Sequence, residues 1–482
     1  MTKVLILGMG PLLSDNVKMI GGQCLRTWHF TKPIIDAEHD CRLITIRIPD
    51  NTNPYPIDDS EKKIEKFSYK NFKYEEFNTS DHFFIINKLN DIIEDYQPDC
   101  IIAVNTFPSF IACSLNYSGA IWCDLNGWVL AEIQTKARLL NDDSQLNWGI
   151  EQERRIILRG DIFSTVSTPQ SYALIGELAL SGRLNKDTFD YSFATSIPNA
   201  VNENFIELDP MLDVRTYNIP EDAFIVLWSG GFNTWTDIEM LYGSLEYAIE
   251  NNPQIHFVAT GGTVDGHDDK TFNDFKNLIL NSQYRDHFHL LGWIDFSEMI
   301  AWHKTANVGI NIDSYNYETI FGARNRLINM IATGLPVITT LGTEISSIIS
   351  QNNLGFTVAI GDEETFGKLI LRLSNENEKL IVFGESARAF VIKEFSYEKT
   401  TRGLIKWLES PELAPDNKKI KYRLKENPKS LDASLNDIHR QGLILENYNS
   451  DQLIKAVGDL EAIRSKPIYK LAKKIKGFIK DK

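Results

Sequence analysis

One stretch in the second half of the chain constrains the fold more than any other. The apolar run VGINI at 308–312 predicts a short buried strand, and apolar residues at helical spacing predict a helix over 324–332. Gly334 and Pro336 end that helix, and the run VITT at 337–340 begins the next strand. In a strand–helix–strand unit of this kind, ligands bind at the carboxyl ends of the strands, beside the N-termini of the helices.

The N-terminus of this helix carries two cations, Arg324 and Arg326. Backbone N–H groups together with two guanidinium groups suit a diphosphate, because a guanidinium can bind two phosphate oxygens at once. The alternative is a surface helix with two solvated arginines. Taken without the surrounding sequence, the helix is better explained as a surface helix with solvated arginines.

The sequence context is the run NMIATGLPVI at 329–338, which resembles the nucleotide-sugar-binding core of GT-B glycosyltransferases, especially glycosyltransferase family 4. That family has two glutamates separated by seven residues, and the second of them opens the corresponding run. Asn329 stands where the second glutamate, the ribose ligand, is expected, and Phe321 stands where the first is expected. Glu318 lies three residues before that first position. The resemblance therefore implies that Asn329 holds the ribose hydroxyls and that Glu318 belongs to the donor site.

The N-terminal half offers two further groups of candidate site residues. Gly21 and Gly22 open the first helix. In GT-B enzymes such a pair brings the backbone close to the donor diphosphate, although a plain turn explains it equally well. The strand at 120–125 contains Asp124 and is followed by Asn126, in the place where many family members have a histidine. Asparagine can only form hydrogen bonds, so it cannot act as a base. Asp124 is either a catalytic carboxylate or a loop cap, and we take both residues as the catalytic candidates.

The C-terminal half departs from the family pattern at its first strand. Gly230 and Gly231 keep the glycine-rich strand end, but the two cations that normally follow are absent, and Trp235 offers a stacking surface instead. Arg324 and Arg326 would then supply the missing positive charge. The resemblance also places Gly292 and Trp293 in the segment that holds the nucleobase. The donor-site prediction thus contains Gly21, Gly22, Gly230, Gly231, Trp235, Gly292, Trp293, Glu318, Arg324, Arg326 and Asn329.

Composition excludes several classes of protein. The chain has 482 residues, of which 43% are hydrophobic and 24% are charged, as expected for a globular protein of several domains. A net charge of −15 argues against nucleic-acid binding.

Five scattered cysteines without a CxxC pair indicate reduced thiols in a cytoplasmic compartment. The chain begins directly with a strand, with no predicted signal peptide, and no apolar run reaches the ~20 residues that span a bilayer. The histidines show no metal-ligand spacing, so no metal site is predicted.

The fold class that the resemblance implies is α/β, namely the GT-B fold, with two Rossmann-like domains facing a central cleft and a C-terminal helical extension. Polar residues at 49–77 lack periodicity and predict an irregular insertion with short elements. The predicted boundaries are 1–200 for the N-terminal, acceptor-side domain, 201–394 for the nucleotide-sugar-binding domain, 395–410 for a helix that crosses back to the first domain, 411–463 for a charged linker with short helices, and 464–482 for a basic amphipathic helix.

The resemblance implies a glycosyltransferase of the hexosyltransferase type. It would move a sugar from a nucleotide-sugar to a cell-envelope glycan or a lipid-linked acceptor, with retention and without a metal or cofactor. Two alternatives stay open. One is a sugar-nucleotide epimerase of the same fold, and the other is a catalytically weak nucleotide-sugar-binding subunit.

The last residues predict a membrane contact. In 464–482, apolar residues fall on one face of a helix and lysines on the other. This pattern is typical of a helix that lies in an anionic membrane surface. The alternative is a frayed tail, or a helix docked on the protein's own acidic surface. We therefore predict a cytoplasmic protein that associates peripherally with the inner face of the membrane.

Overall fold

The computed structural model describes residues 1–12, 21–48, 63–263 and 267–419. Residues 1–419 form one compact unit, which contains two α/β domains. The tail predicted over 464–482 and most of the linker predicted over 411–463 lie outside the described residues. In the part of the chain that is described, no helix is long and apolar enough to cross a membrane.

The first domain is built on an eight-stranded sheet with the order β3-β4-β2-β1-β5-β6-β7-β8. All neighbouring strands are parallel except β3 and β4. The strands are β1 Lys3–Met9, β2 Asp40–Arg47, β3 Lys63–Tyr69, β4 Phe72–Asn78, β5 Cys100–Val104, β6 Ala120–Leu125, β7 Ile162–Thr165 and β8 Ala194–Ser196. The helices are α1 Gly22–Asp36, α2 His82–Tyr96, α3 Thr106–Ala112, α4 Val129–Leu140, α5 Leu146–Arg159 and α6 Thr168–Leu180.

The second domain has a six-stranded parallel sheet with the order β11-β10-β9-β12-β13-β14. This is the doubly wound order of a dinucleotide-binding sheet, with its switch point between β9 and β12. The strands are β9 Phe224–Ser229, β10 Ile255–Thr260, β11 Phe288–Leu290, β12 Val308–Asn311, β13 Val337–Leu341 and β14 Phe356–Ala359. The helices from the connector onward are α7 Asn204–Glu207, α8 Ile238–Asn251, α9 Lys270–Leu280, α10 Phe296–Thr305, α11 Tyr317–Phe321, α12 Asn325–Ala332, α13 Glu344–Gln351, α14 Glu363–Ser374, α15 Asn377–Glu394, α16 Tyr397–Thr400 and α17 Arg402–Leu408.

The two sheets confirm the predicted fold class. The central strands are apolar on both faces because helices cover both faces of a parallel sheet, and β5 and β9 are buried along their whole length. After α15 the chain returns to the first domain, where Leu404 and Leu408 are buried in the core beside Trp28. Tyr397 stacks on His29, with 5.0 Å between the ring centroids.

In the second half of the segment 49–77, the short elements of the predicted insertion are two regular strands. Residues 63–78 form the antiparallel pair β3–β4, and β4 continues the parallel sheet beside β2. The pattern was hidden because β3 is an edge strand whose residues are almost all exposed. An edge strand of this kind carries charged side chains and lacks the apolar alternation by which a strand is recognised.

Three histidines meet in the second domain, at the end of the sheet where β10 and β11 begin. The His256 and His289 rings approach to 3.0 Å between Nδ1 and Nε2, and the ring centroids of His256 and His287 lie 4.6 Å apart. Burial, reinforced by the neighbouring imidazoles, lowers the pKa of His256 to about 4, and burial with His287 lowers the pKa of His289 to about 4. Within the described residues, no group of His, Cys, Asp and Glu could hold a metal ion.

This histidine cluster predicts acid sensitivity. The folded state binds these protons less tightly than the unfolded chain, whose histidine pKa is about 6.5, so the stabilisation is complete above pH ~6.5. It is lost as the pH falls from ~6.5 towards 4, and solvent screening of these half-buried rings limits the loss to about 2–3 kcal/mol in the free energy of unfolding. Urea unfolding measured across this range tests it. The variant His256→Gln, which does not titrate, should flatten the decrease, and an identical pH dependence in both proteins would contradict the prediction.

Candidate active site

A cavity of about 830 Å³ separates the two domains at the carboxyl ends of both sheets. It brings together almost all residues that the sequence singles out. The predicted residues that line it are Gly21, Gly22, Asn126, Gly230, Gly231, Trp235, Trp293, Glu318, Arg324, Arg326 and Asn329. Two predicted site residues, Asp124 and Gly292, are not among the described residues that line the cavity.

Asp124 is a buried ion-pair partner and does not reach the cleft. Its Oδ1 accepts from Arg26 Nη2 at 2.7 Å and its Oδ2 accepts from Arg26 Nε at 3.0 Å, while Ser164 Oγ donates to Oδ1 at 2.6 Å. Both side chains of the pair are at most 1% exposed. A buried carboxylate that is paired in this way holds α1 against β6. We therefore assign Asp124 a structural role and not the catalytic role that the sequence suggested.

Arg324 is held between two buried carboxylates. Its Nε donates to Asp313, at 3.0 and 3.1 Å, while Nη1 and Nη2 donate to the two oxygens of Glu318 at 2.9 and 2.7 Å. The carbonyl of Ala323 and the hydroxyl of Thr319 accept its remaining hydrogens. Burial by itself would lower the pKa of Arg324, but the two carboxylates raise it. No N–H group of Arg324 is left for a diphosphate, so its predicted role as a donor cation is corrected to a structural one, and the same ion pair occupies Glu318.

Arg326 differs from Arg324 because no carboxylate of the described residues forms an ion pair with it. Its Nη2 donates to the carbonyl of Gly231 at 2.5 Å, and the guanidinium lies over the Trp228 ring, 4.1 Å from the centroid. Its Nη1 is buried and has no hydrogen-bond partner among the described residues. Burial lowers the pKa of Arg326 to about 9, and Asp313 offsets this only in part. An anionic ligand in the cavity would supply the missing partner and countercharge.

Two helix N-termini meet at the cavity wall. Gly22 begins α1 and Asn325 begins α12, and a Cβ added to Gly22 would lie 2.6 Å from Nδ2 of Asn325. A side chain at position 22 would therefore displace the Asn325 amide. Both ends expose backbone N–H groups and carry the positive end of a helix dipole, so together with Arg326 they form a site suited to an anion.

Phe321, at the position of the first family glutamate, belongs to the contact between the domains. Its ring meets Trp128 edge-on, with 5.1 Å between the centroids, and its carbonyl accepts from Ser167 Oγ at 2.5 Å. Close by, the hydroxyls of Thr135 and Thr234 are 2.6 Å apart across the cleft. This position therefore joins the two domains and adds no carboxylate to the site.

The remaining predicted residues line the cavity between the two domains. Asn126 Nδ2 donates to Asn105 Oδ1 at 3.3 Å, and Trp293 Nε1 donates to the carbonyl of Thr263 at 2.7 Å. The Arg324 guanidinium lies 5.1 Å from the centroid of the Trp235 ring. Sequence reasoning missed lining residues of the first domain, which include Glu132, Lys136, Trp148 and Gln152. They lie on two helices, α4 and α5, and no motif marks them.

Asn329 lines the cavity from α12 and is 7% exposed. If it holds the ribose, Asn329→Ala should weaken a nucleoside diphosphate and the intact nucleotide-sugar equally, by about 0.5–1.5 kcal/mol for one lost hydrogen bond. Titration calorimetry with both ligands measures this, with the exposed Asn281→Ala as the matched control. Altered sugar discrimination with unchanged nucleotide affinity would show that Asn329 contacts the sugar instead.

Comparison with protein families points to the second domain and its side of the cavity. Residues 223–376 match the family model described as glycosyl transferases group 1. Residues 223–376 form a group 1 glycosyltransferase domain. The match contains Gly230, Gly231, Arg326 and Asn329, which line the cavity from the second domain. No curated protein sequence matches the chain.

Solved structures show that the chain has the GT-B fold. Sucrose-phosphate synthase from Thermosynechococcus elongatus has a TM-score of 0.62 at 15% identity, covering 85% of this chain and 98% of its own. The catalytic domain of starch synthase IV from Arabidopsis thaliana, bound to ADP and acarbose, has a TM-score of 0.61 at 14% identity over 85% and 98%. HepE from Anabaena, in complex with UDP and glucose, has a TM-score of 0.60 at 13% identity over 85% and 100%.

Proposed function

We propose that this GT-B glycosyltransferase moves a hexose from a nucleotide-sugar to a glycan or lipid-linked acceptor of the cell envelope. The observation that carries the proposal is Arg326, a cation with a buried, unpartnered Nη1 in the wall of the cleft where two helix N-termini meet. A nucleoside diphosphate would complete this site. The HepE and starch synthase IV structures hold UDP and ADP, which makes uridine and adenosine diphosphate sugars the first donors to test.

The same groups suit the departing diphosphate. As the glycosidic phosphate bond breaks, negative charge grows on the diphosphate, and fixed N–H groups and a guanidinium stabilise it. We propose that transfer needs no metal ion for this reason. Retention of the anomeric configuration rests on the family resemblance alone.

A thermal-shift screen across UDP-, ADP- and GDP-sugars tests the donor, because a ligand that binds only the folded state raises the apparent stability. Wild-type protein should shift with at least one nucleotide-sugar, and Arg326→Ala should shift less. Radiolabelled donor, incubated with cell-envelope lipid and glycan extracts, then tests transfer. Absence of both a shift and transfer would contradict the proposal.

Two alternatives give different outcomes in the same assays. An epimerase would convert the sugar of the nucleotide-sugar without any acceptor. A nucleotide-sugar-binding subunit would show a thermal shift without turnover. Two positions favour the nucleotide-sugar-binding subunit, because neither carries the acid–base side chain of the family. Phe321 joins the domains, and Asn126 donates to Asn105.

We also propose a peripheral location at the inner face of the membrane, through residues 464–482. Lysines near an anionic surface contribute ~1 kcal/mol each. Flotation with anionic and neutral vesicles should show binding of the full chain to anionic vesicles at low salt, and weaker binding of a chain that ends at Ile463. Equal binding of the two chains, or no preference for anionic lipid, would contradict this location.

A further inference from the structure

The cavity presents two carboxylates among the described residues that line it, Glu132 and Glu318. Both oxygens of Glu318 accept from Arg324, and its side chain is 5% exposed. Glu318 therefore cannot reach a substrate without breaking a buried ion pair. The side chain of Glu132 has no such partner, since none of the described hydrogen bonds or salt bridges of the protein involves its carboxylate. Glu132 is half-buried as a residue and lines the cavity from α4.

The histidines of the cavity wall are weaker candidates for proton transfer. His303 is 1% exposed, and its Nε2 lies 2.7 Å from Ser229 Oγ. Burial lowers the pKa of His303 to about 3, and burial with Lys136 lowers the pKa of His267 to about 4. Such imidazoles are neutral at pH 7 but are weak bases.

The position of Glu132 is fixed by the turn between β6 and α4. Gly127 has a φ of +93°, which a residue with a side chain rarely adopts, and a Cβ at Gly127 would lie 2.6 Å from Glu132 Oε1. The carboxylate thus rests against the backbone of Gly127, immediately after Asn126. It stands beside the place where the family pattern has a histidine and this chain has an amide.

Charged groups from three elements face Glu132. Glu318 lies on α11, Arg324 lies at the N-cap of α12, and Lys136 lies one turn along α4. Burial, followed by the repulsion from Glu318, raises the pKa of Glu132 to about 8, although Arg324 and Lys136 oppose the shift. A carboxylate with a pKa near the working pH is a stronger base than an ordinary glutamate.

We propose that Glu132 is the catalytic base on the acceptor side of the cleft, where it binds the attacking hydroxyl group and takes its proton. This role rests on the proposed transferase function. The acceptor oxygen forms a bond to the anomeric carbon on the face that the diphosphate leaves, as retention requires, and the bond from that carbon to the diphosphate oxygen breaks. The electron pair of the broken bond leaves on the diphosphate. The hydroxyl proton moves to the Glu132 carboxylate and is later released to water.

Release of nucleoside diphosphate measures this step, with water or an envelope extract as the acceptor and the nucleotide-sugar that gives the largest thermal shift as the donor. We expect Glu132→Gln to lower kcat by about 10²–10⁴-fold, because a positioned acid–base group contributes that much. The affinity for the nucleoside diphosphate should not change. Wild-type kcat should rise with pH towards and above 8, as Glu132 ionises, and this rise should be absent in Glu132→Gln.

Glu177→Gln is the matched control. Burial also raises the pKa of Glu177, to about 7, but this residue accepts from Trp128 Nε1 at 3.0 Å and does not line the cavity. Its loss should leave the pH profile of kcat as in the wild type. Formate should partly restore the activity of Glu132→Ala, since a small carboxylate can occupy the space and accept the proton.

The outcomes separate the two proposals. Wild-type protein without turnover on any donor contradicts the transferase function. If the wild type turns over and the kcat of Glu132→Gln stays within about threefold of it, only the role of Glu132 is overturned. The same holds if Glu132→Gln loses nucleoside-diphosphate binding together with kcat. If Glu132→Gln does not fold, Glu132→Asp replaces it. We then expect a reduced kcat that keeps its pH dependence, and an unchanged kcat would contradict the role of Glu132.

Discussion

Arg326→Ala should weaken the binding of a nucleoside diphosphate by about 1.5–3 kcal/mol, the value of a lost charge-assisted hydrogen bond. The reason is that Nη1 of Arg326 is buried without a partner, and burial lowers the pKa of Arg326 to about 9. Arg326→Ala also removes the hydrogen bond to the Gly231 carbonyl and the contact with the Trp228 ring, so the free energy of unfolding is measured beside the affinity. Titration calorimetry with UDP and ADP measures the affinity.

Two further variants give the controls for Arg326. Arg326→Lys keeps the charge but loses the planar fork, so it should recover only part of the affinity. Arg372→Ala removes an equal charge from α14, outside the cavity, and should leave the affinity unchanged. Unaltered affinity in Arg326→Ala would remove this residue from the donor site.

Arg324→Ala should act mainly on stability, with a decrease of about 3–5 kcal/mol in the free energy of unfolding. The substitution leaves Asp313 and Glu318 buried without a cation, and both side chains are at most 5% exposed. Two uncompensated buried carboxylates are costly because the protein interior solvates charge poorly. Urea unfolding at neutral pH measures the change.

A triple variant tests the cause of that loss. Combining Arg324→Ala with Asp313→Asn and Glu318→Gln removes the unpaired charges, so part of the stability should return. A decrease below about 1 kcal/mol in Arg324→Ala would contradict the assignment of Arg324 to structure. The sequence alone predicts the opposite result for this residue, namely a weaker donor affinity with unchanged stability.

The sequence by itself determined the fold and eleven of the residues that line the cavity. Apolar runs such as VGINI and FIVLW mark the parallel strands, because both faces of these strands are buried. The glycines and the run before Pro336 mark the strand ends at which the chain must approach a ligand. Together with the family resemblance, these local signals placed Gly21, Gly230, Trp293 and Asn329 in one site, and all four line the cavity.

Only the tertiary structure decided what each charged group does. Arg324 and Arg326 are two residues apart and equivalent in sequence, yet Arg324 faces two carboxylates and Arg326 faces none directly. Asp124 meets an arginine that is 98 residues away, and Glu132 reaches the cleft from a helix without a motif. The role of a buried charge depends on its partners and on its access to solvent, and both are set by contacts between residues that are distant in the chain.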